Sequence, residues 1–189
     1  MLALAGRGLS GAAVEHDAVA AWATADLPVD GMGRVSVADP AQSVLQLANS
    51  ETGVVQDLPT GLAFSDITQC VGRLAFSQAW SGVRMVALSA HKFGGPKGVG
   101  ALVIPRGHDL AAHIRGGGQE MGRRAGTENI IGIAGMGAAI TVALRDLADG
   151  VWDRVAMLRD EMELALTAAN PGSGIAGGQG ARLPNTTCL

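Results

Sequence analysis

The stretch Ser89-Ala-His-Lys-Phe-Gly-Gly-Pro-Lys-Gly-Val-Gly-Ala-Leu102 decides how the chain is read. It holds both lysines, Lys92 and Lys97, of a sequence that otherwise uses arginine, 12 times, for its positive charge. Arginine stays protonated and serves as neither base nor Schiff-base amine, whereas lysine does both. The preceding residues, 83–88, read as a short buried strand, and 99–104 as another, closed by Pro105. In open α/β sheets ligands gather at the carboxyl ends of strands, which is where Lys92 falls. The glycines after it let the backbone approach a ligand closely. The spacing is not that of a phosphate-binding G-x-x-x-x-G-K-S/T loop. Taken alone, the stretch reads equally as a glycine-rich turn with two solvated lysines.

Working outward, 44–48 reads as a buried strand running into Asn49-Ser-Glu-Thr-Gly53. Residues 62–66 read as another, running into Asp66-Ile-Thr-Gln-Cys-Val-Gly72. The segment 12–23 has helical composition, and 27–38, with Pro28, Asp30-Gly31 and Gly33, is a turn-rich connection. A glycine-rich loop spans 115–126, and Thr127 is placed to cap an apolar helix over 130–144. Val155, Leu158, Met162 and Ala165 recur at helical spacing and predict an amphipathic helix that buries that face. Residues 185–189 read as the start of a strand, and no strand is expected before residue 12. Strands alternating with helices on short links give an α/β layer architecture.

Composition narrows the function classes. With 189 residues, 48% hydrophobic and 16% charged, the chain can bury a core and is not of disordered type. A net charge of -3 argues against a polyanion-binding protein, and Arg123-Arg124 is too short for a nucleic-acid patch. Two distant cysteines, Cys70 and Cys188, give neither a disulfide framework nor zinc spacing, and His108 and His113 have no evident metal partners. A reducing, cytoplasmic setting follows. The apolar run 130–144 falls short of the ~18 residues that cross a bilayer and reads as a buried helix, so no membrane contact is expected. Residues 1–6 are apolar but lack the basic start of a signal peptide.

Two further side chains suggest chemistry. Asp66, at a strand end, is placed to pair with a buried cation such as a protonated pyridine nitrogen. The acceptor of an Asx-turn is the more common reading of such an aspartate. His16 reads either as a stacking residue or as a surface histidine.

Several strings together are more specific than any one. The lysine segment 89–102 resembles that of the cysteine desulfurases of the class V aminotransferase family, which have the pyridoxal-phosphate fold type I. Gly116-Gly-Gly-Gln-Glu-Met-Gly-Arg-Arg-Ala-Gly-Thr-Glu-Asn129 resembles that family's second signature. Asn49-Ser-Glu-Thr-Gly-Val-Val-Gln56, Asp66 to Gly72 and Glu15-His16 fit further blocks in the family's order.

The resemblance implies a mainly parallel-sheet large domain, incomplete, over 1–148 and the start of a small C-terminal domain over 149–189. It implies that Lys92 forms the Schiff base with pyridoxal phosphate and then moves the substrate α-proton. Asp66 would keep the pyridine nitrogen protonated, Gln69 would bond the ring hydroxyl, and His16 would stack on the ring and assist catalysis. Ser89 and His91 would bind the phosphate, and Thr127 the phosphate of a neighbouring subunit in a homodimer. Asn49 and Ser50 would face the ring, Ser50 standing where the family often has a second asparagine. L-cysteine is the implied substrate, and a sulfur acceptor or iron–sulfur scaffold the implied partner.

The family chain is roughly twice this length. Its phosphate cup is expected before Met1, with 1–8 as the helix after it, and its nucleophilic cysteine and carboxylate-binding arginine beyond Leu189. Isolated residues 1–189 are therefore expected to be inactive. A selenocysteine lyase or another class V lyase or aminotransferase, and a non-catalytic fragment, stay open as alternatives.

Overall fold

The computed structural model describes residues 6–189. Strand β1 (Leu9–Ala12) pairs in parallel with β2 (Ala23–Leu27). Strand β3 (Phe64–Asp66) pairs in parallel with β4 (Met85–Ser89), and β4 pairs antiparallel with β5 (Gly100–Val103). The extended segment 43–48 joins these two groups. The Val44 N–H donates to the Ser10 carbonyl at 2.8 Å, while the Leu45 and Leu47 N–H groups donate to Phe64 and Asp66 at 3.1 and 2.9 Å. The order across the sheet is therefore β2-β1-(43–48)-β3-β4-β5, parallel except for the last pair.

Burial explains why the inner strands lack an alternating pattern. Met85, Val86 and Ala87 are all buried, because a central parallel strand is covered on both faces. Leu45, Leu47, Leu62, Ile67, Val86 and Leu183 form the core on one face. Leu9, Val19, Val44, Phe64, Met85 and Ala87 form it on the other.

The crossovers are short on helix. The helices α1 (Asp17–Ala20) and α2 (Gln78–Ser81) have four residues each, and between β2 and β3 there is only the 3-10 turn Pro40–Gln42. Loop residues Val35, Val37, Val55 and Leu58 cover the first face in place of helices. The end of the chain helps. Leu183 is buried in that core, and Arg159 and Arg182 hold its strand-like approach, Arg159 by donating to the Leu183 carbonyl at 2.6 Å and Arg182 through a two-pronged pair with Glu163 at 2.7 Å.

Two long helices, α3 (Ile130–Ala148) and α4 (Val151–Ala169), follow the glycine-rich loop. They join at Gly150, whose φ of 72° turns the chain. Close packing of α3 on the lysine loop depends on Gly132, where a Cβ would lie 2.4 Å from Val99 Cγ2.

Several expectations are corrected. The helix expected over 12–23 shrinks to α1, because Ala12 ends β1 and parallel pairing draws Ala23 into β2. A strand does precede residue 12. Residues 185–189 form no strand; Arg182 makes the isolated bridge, to Val54. The cap of α3 is Asn129, whose Oδ1 accepts the Gly132 N–H at 3.0 Å, not Thr127. Of the helix expected over 1–8, residues 1–5 lie outside the described residues, while Gly6 and Gly8 have φ of 71° and 63° and are not helical.

The apolar helix is not buried. It extends to Ala148, leaves Ile131 84% exposed, and is long and apolar enough to cross a membrane on length and composition alone. Of the expected inward face of α4, Val155 is half-buried but Leu158, Met162 and Ala165 are exposed; Trp152, Arg159 and Glu163 face the body in their place. The Arg182 and Leu183 bonds to Glu163 and Arg159 set that rotation.

Gly132 offers a test of the α3 docking. Alanine there gains about 1 kcal/mol of helix propensity but forces a clash whose cost is about 1–3 kcal/mol. Gly132→Ala is expected to lower the unfolding midpoint, and adding Val99→Ala, which removes Cγ2, to recover part of the loss in a denaturant titration.

Candidate active site

All the candidate residues but Thr127 lie at or just after the carboxyl end of an extended segment. His16 follows β1, Asn49 and Ser50 follow 43–48, Asp66 ends β3 with Gln69 beyond it, and Ser89 ends β4 with His91 and Lys92 beyond it. Adjacent parallel segments bring these ends together around one cavity of about 570 Å³. His16, Ser50, Asp66, Gln69, Ser89, His91 and Lys92 all line it, with Gln46, Thr68 and the start of β5. That volume lies within the usual small-molecule range of roughly 300–1,000 Å³.

Local structure fixes several of these groups. Lys92 ends a 3-10 turn, Ala90–Lys92, directly after β4, and its ammonium has no ion-pair partner among the described residues. Gly100 lets β5 pass close by, since a Cβ there would lie 2.5 Å from the Leu88 carbonyl oxygen. Asp66 Oδ1 accepts the Thr68 N–H at 2.9 Å, so the Asx-turn is real and leaves the other oxygen for the cavity. Ser89 Oγ and His91 Nδ1 lie 2.8 Å apart. His16 caps α1 by accepting the Ala18 N–H on Nδ1 at 3.1 Å, which assigns the remaining proton to Nε2.

Two candidates lie off the cavity. Asn49 is committed to the backbone: its Oδ1 accepts from Glu51 and Thr52, and its Nδ2 donates to the Val14 carbonyl at 2.9 Å. This corrects its expected place against a ring. Thr127 is exposed and does not line the cavity.

Sequence reasoning missed Gln46 and gave Glu15 no role. Glu15 is 7% exposed, and its Oε1 accepts the Gln46 N–H at 2.8 Å, while Oε2 is buried with no partner. Burial pushes its carboxyl up to about 7, and the neighbouring Asp66 charge adds to the rise. Gln46 Nε2 returns a bond to the Val14 carbonyl at 2.5 Å. Together they hold the 13–16 loop, and with it His16. Only the apolar–polar interruption at Gln46 within 44–48 signalled this. Cys70 is 1% exposed, and burial pushes its thiol up to about 12, so it is inert as a nucleophile.

The donor set suits pyridoxal phosphate: an unpaired lysine amine for the aldehyde, a carboxylate for the pyridine nitrogen, an amide for the ring hydroxyl, an imidazole for the ring face, and Ser89 with His91 for phosphate oxygens. The mainly parallel sheet, with this lysine and carboxylate at adjacent strand ends, has the architecture of the pyridoxal-phosphate fold type I. The profile of the family described as "Aminotransferase class-V" matches residues 39–175. The chain belongs to the class V aminotransferase family, whose members depend on pyridoxal phosphate.

Relatives agree. The chain is 40% identical over 181 residues to a cysteine desulfurase of Cereibacter sphaeroides, covering 86% of the chain and 46% of that protein. It is 38% identical over 205 residues to a cysteine desulfurase of Sinorhizobium fredii, covering 94% and 52%. Among solved structures, a NifS-like protein from Rickettsia africae superposes with a TM-score of 0.82 at 26% identity, covering 95% of the chain and 56% of that structure. DndA from Streptomyces lividans superposes at 0.76 and 26% identity, covering 94% and 58%. The chain spans about half the length of the curated relatives it matches.

The Glu15 carboxyl gives a pH prediction. Below about 4.5 the group is protonated in folded and unfolded states alike. As pH rises from about 4.5 to about 7 the unfolded chain releases the proton and the folded chain keeps it, so stability falls. The loss is on the order of 3 kcal/mol at most. Glu15→Gln is expected to flatten that part of the stability–pH curve relative to the native chain, measured by urea unfolding at successive pH values.

Proposed function

We propose that this chain holds pyridoxal phosphate and serves the removal of sulfur from L-cysteine, which yields alanine and an enzyme-bound persulfide. The observation that carries the reading is one cavity lined at once by Lys92, Asp66, Gln69 and His16. The cysteine desulfurase relatives favour this reaction over a selenocysteine lyase or an aminotransferase.

When bound, the cofactor supplies an electron sink for the carbanion left when the α-proton departs. The chain's own groups divide the remaining work. Lys92 would hold the cofactor aldehyde through its Nζ and would carry the substrate α-proton. Asp66 keeps a proton on the pyridine nitrogen, and its Asx-turn bond to Thr68 holds one carboxylate oxygen so that the other faces the cavity. Gln69 orients the ring through its hydroxyl, and His16, fixed by its cap bond, closes over the ring face. Ser89 and His91, already paired, offer a hydroxyl and an imidazole to phosphate oxygens. The thiol that takes the sulfur is not Cys70, whose burial withholds the thiolate. We place the protein in the cytoplasm as a homodimer, delivering sulfur to an acceptor or iron–sulfur scaffold, with Thr127 reaching the partner's phosphate; the family resemblance and the free cysteines support this.

Borohydride trapping tests the reading. Pyridoxal phosphate added to the chain and then reduced is expected to leave a pyridoxyl adduct chiefly on Lys92, located by peptide mapping. An adduct mainly on Lys97 or the N-terminus overturns the assignment. Asp66→Ala is expected to retain the adduct while α-proton exchange on bound amino acid falls about 10²-fold or more, the range of a lost acid–base contribution. In the same chain given L-cysteine, alkylation mapping is expected to find no persulfide on Cys70.

A further inference from the structure

Arg73 has no part in the reaction described above, yet it touches both loops that carry it. Its Nη1 donates to the Gln69 carbonyl at 2.8 Å, and its Nη2 donates to the Lys92 carbonyl at 2.5 Å. Those carbonyls follow β3 and β4, neighbouring parallel strands. The guanidinium carbon lies 5.3 Å from the centroid of the Trp152 ring on α4. Among the described residues no carboxylate pairs with it, so its charge is balanced by two carbonyl dipoles and an indole face.

The arrangement is specific to arginine. The planar fork presents two parallel donors at fixed spacing, and charge-assisted bonds are shorter and stronger than neutral ones. A flexible ammonium is a point donor and does not define that spacing. The fork is also half-buried, and burial draws its proton affinity down from the ordinary arginine value without removing the charge. The pair of carbonyls it grips belongs to the residue bonding the aldehyde and the residue orienting the ring. A shift of the Lys92 backbone moves its Nζ relative to everything else in the cavity, and small misplacements are costly in reactive geometry.

We infer that Arg73 is a positioning residue that clamps the Gln69 and Lys92 main chains to each other and so sets where the Lys92 amine enters the cavity. The inference rests on the cofactor reading above. Its consequence is measurable without turnover, because the chain has two lysines and Lys97 is exposed away from the cavity. Lys97 therefore serves as an internal standard for reactivity at Lys92.

The experiment is brief exposure of the chain to pyridoxal phosphate, borohydride reduction, and mass-spectrometric measurement of the Lys92-to-Lys97 adduct ratio. In Arg73→Met the ratio is expected to fall about tenfold, equivalent to about 1.4 kcal/mol of lost positioning. Arg73→Lys is expected to fall between methionine and native. Arg182→Met serves as the control for destabilisation, because its ion pair with Glu163 anchors the chain end and lies outside the cavity. It is expected to lower the unfolding midpoint and leave the ratio near native. A native ratio in Arg73→Met, or an equal fall in Arg182→Met, overturns the positioning role. A native chain with no preference for Lys92 overturns both this inference and the cofactor reading, whereas a native preference that survives Arg73→Met overturns the inference alone.

Discussion

The structure depends on one run of backbone hydrogen bonds, those of the segment 43–48. Its amides alternate sides: Val44 donates to β1, Leu45 and Leu47 donate to β3. Without it the β1–β2 pair and the β3–β4–β5 sheet share no edge. The alternation leaves the Gln46 N–H facing β1 beyond Ala12, where that strand has already ended. Glu15 supplies the missing acceptor from the loop that follows. An orphaned buried amide costs about 1–3 kcal/mol, so the carboxyl that answers it is part of the sheet as much as of the loop.

That constraint also builds the site. Glu15 is adjacent in sequence to His16, and the acceptor that completes the sheet thereby sets the histidine at the cavity mouth. Gln46 and Asn49 tie the same loop through the Val14 carbonyl. The cost is a carboxyl kept protonated up to about 7 beside Asp66. The same buried carboxyl therefore ties the sheet to the loop that carries His16. Sheet completion and loop placement are thus one arrangement.

The short crossovers show how a parallel sheet is covered when helices are scarce. Parallel neighbours usually return through a helix. Here loop residues and Leu183 take over on one face, and Arg159, Glu163 and Arg182 hold that return in place. This is why α4 turns Arg159 and Glu163 toward the body and leaves Leu158 and Met162 outside. Buried polar bonds to a main-chain segment have overruled the apolar stripe. On the long α3, Gly132 and Gly135 lie against Val99 and Pro96 of the lysine loop, while Ile130 and Ile131 are exposed.

The sequence by itself determined the strands 62–66, 83–88 and 99–104, the class of fold, and most of the lining of the cavity. Those features are local: apolar runs ending in polar strings, with the lysines confined to one of them. The roles expected of lysine, aspartate, glutamine and histidine came from the resemblance of those blocks to the cysteine desulfurases, since the lysine stretch alone reads equally as a solvated turn. Only the tertiary structure decided what depends on partners distant along the chain. β1 and β2 exist because they pair with each other, although 12–23 has helical composition. Asn49 is taken by the Val14 carbonyl rather than by a ring, and Asn129 rather than Thr127 caps α3. The raised titration of Glu15 follows from burial and the nearby Asp66 charge, and the bonds of Glu15 to the Gln46 N–H and of Arg73 to the Lys92 carbonyl reach 31 and 19 positions along the chain. No local pattern carries such information, since a hydrogen bond across that separation leaves no period in the sequence.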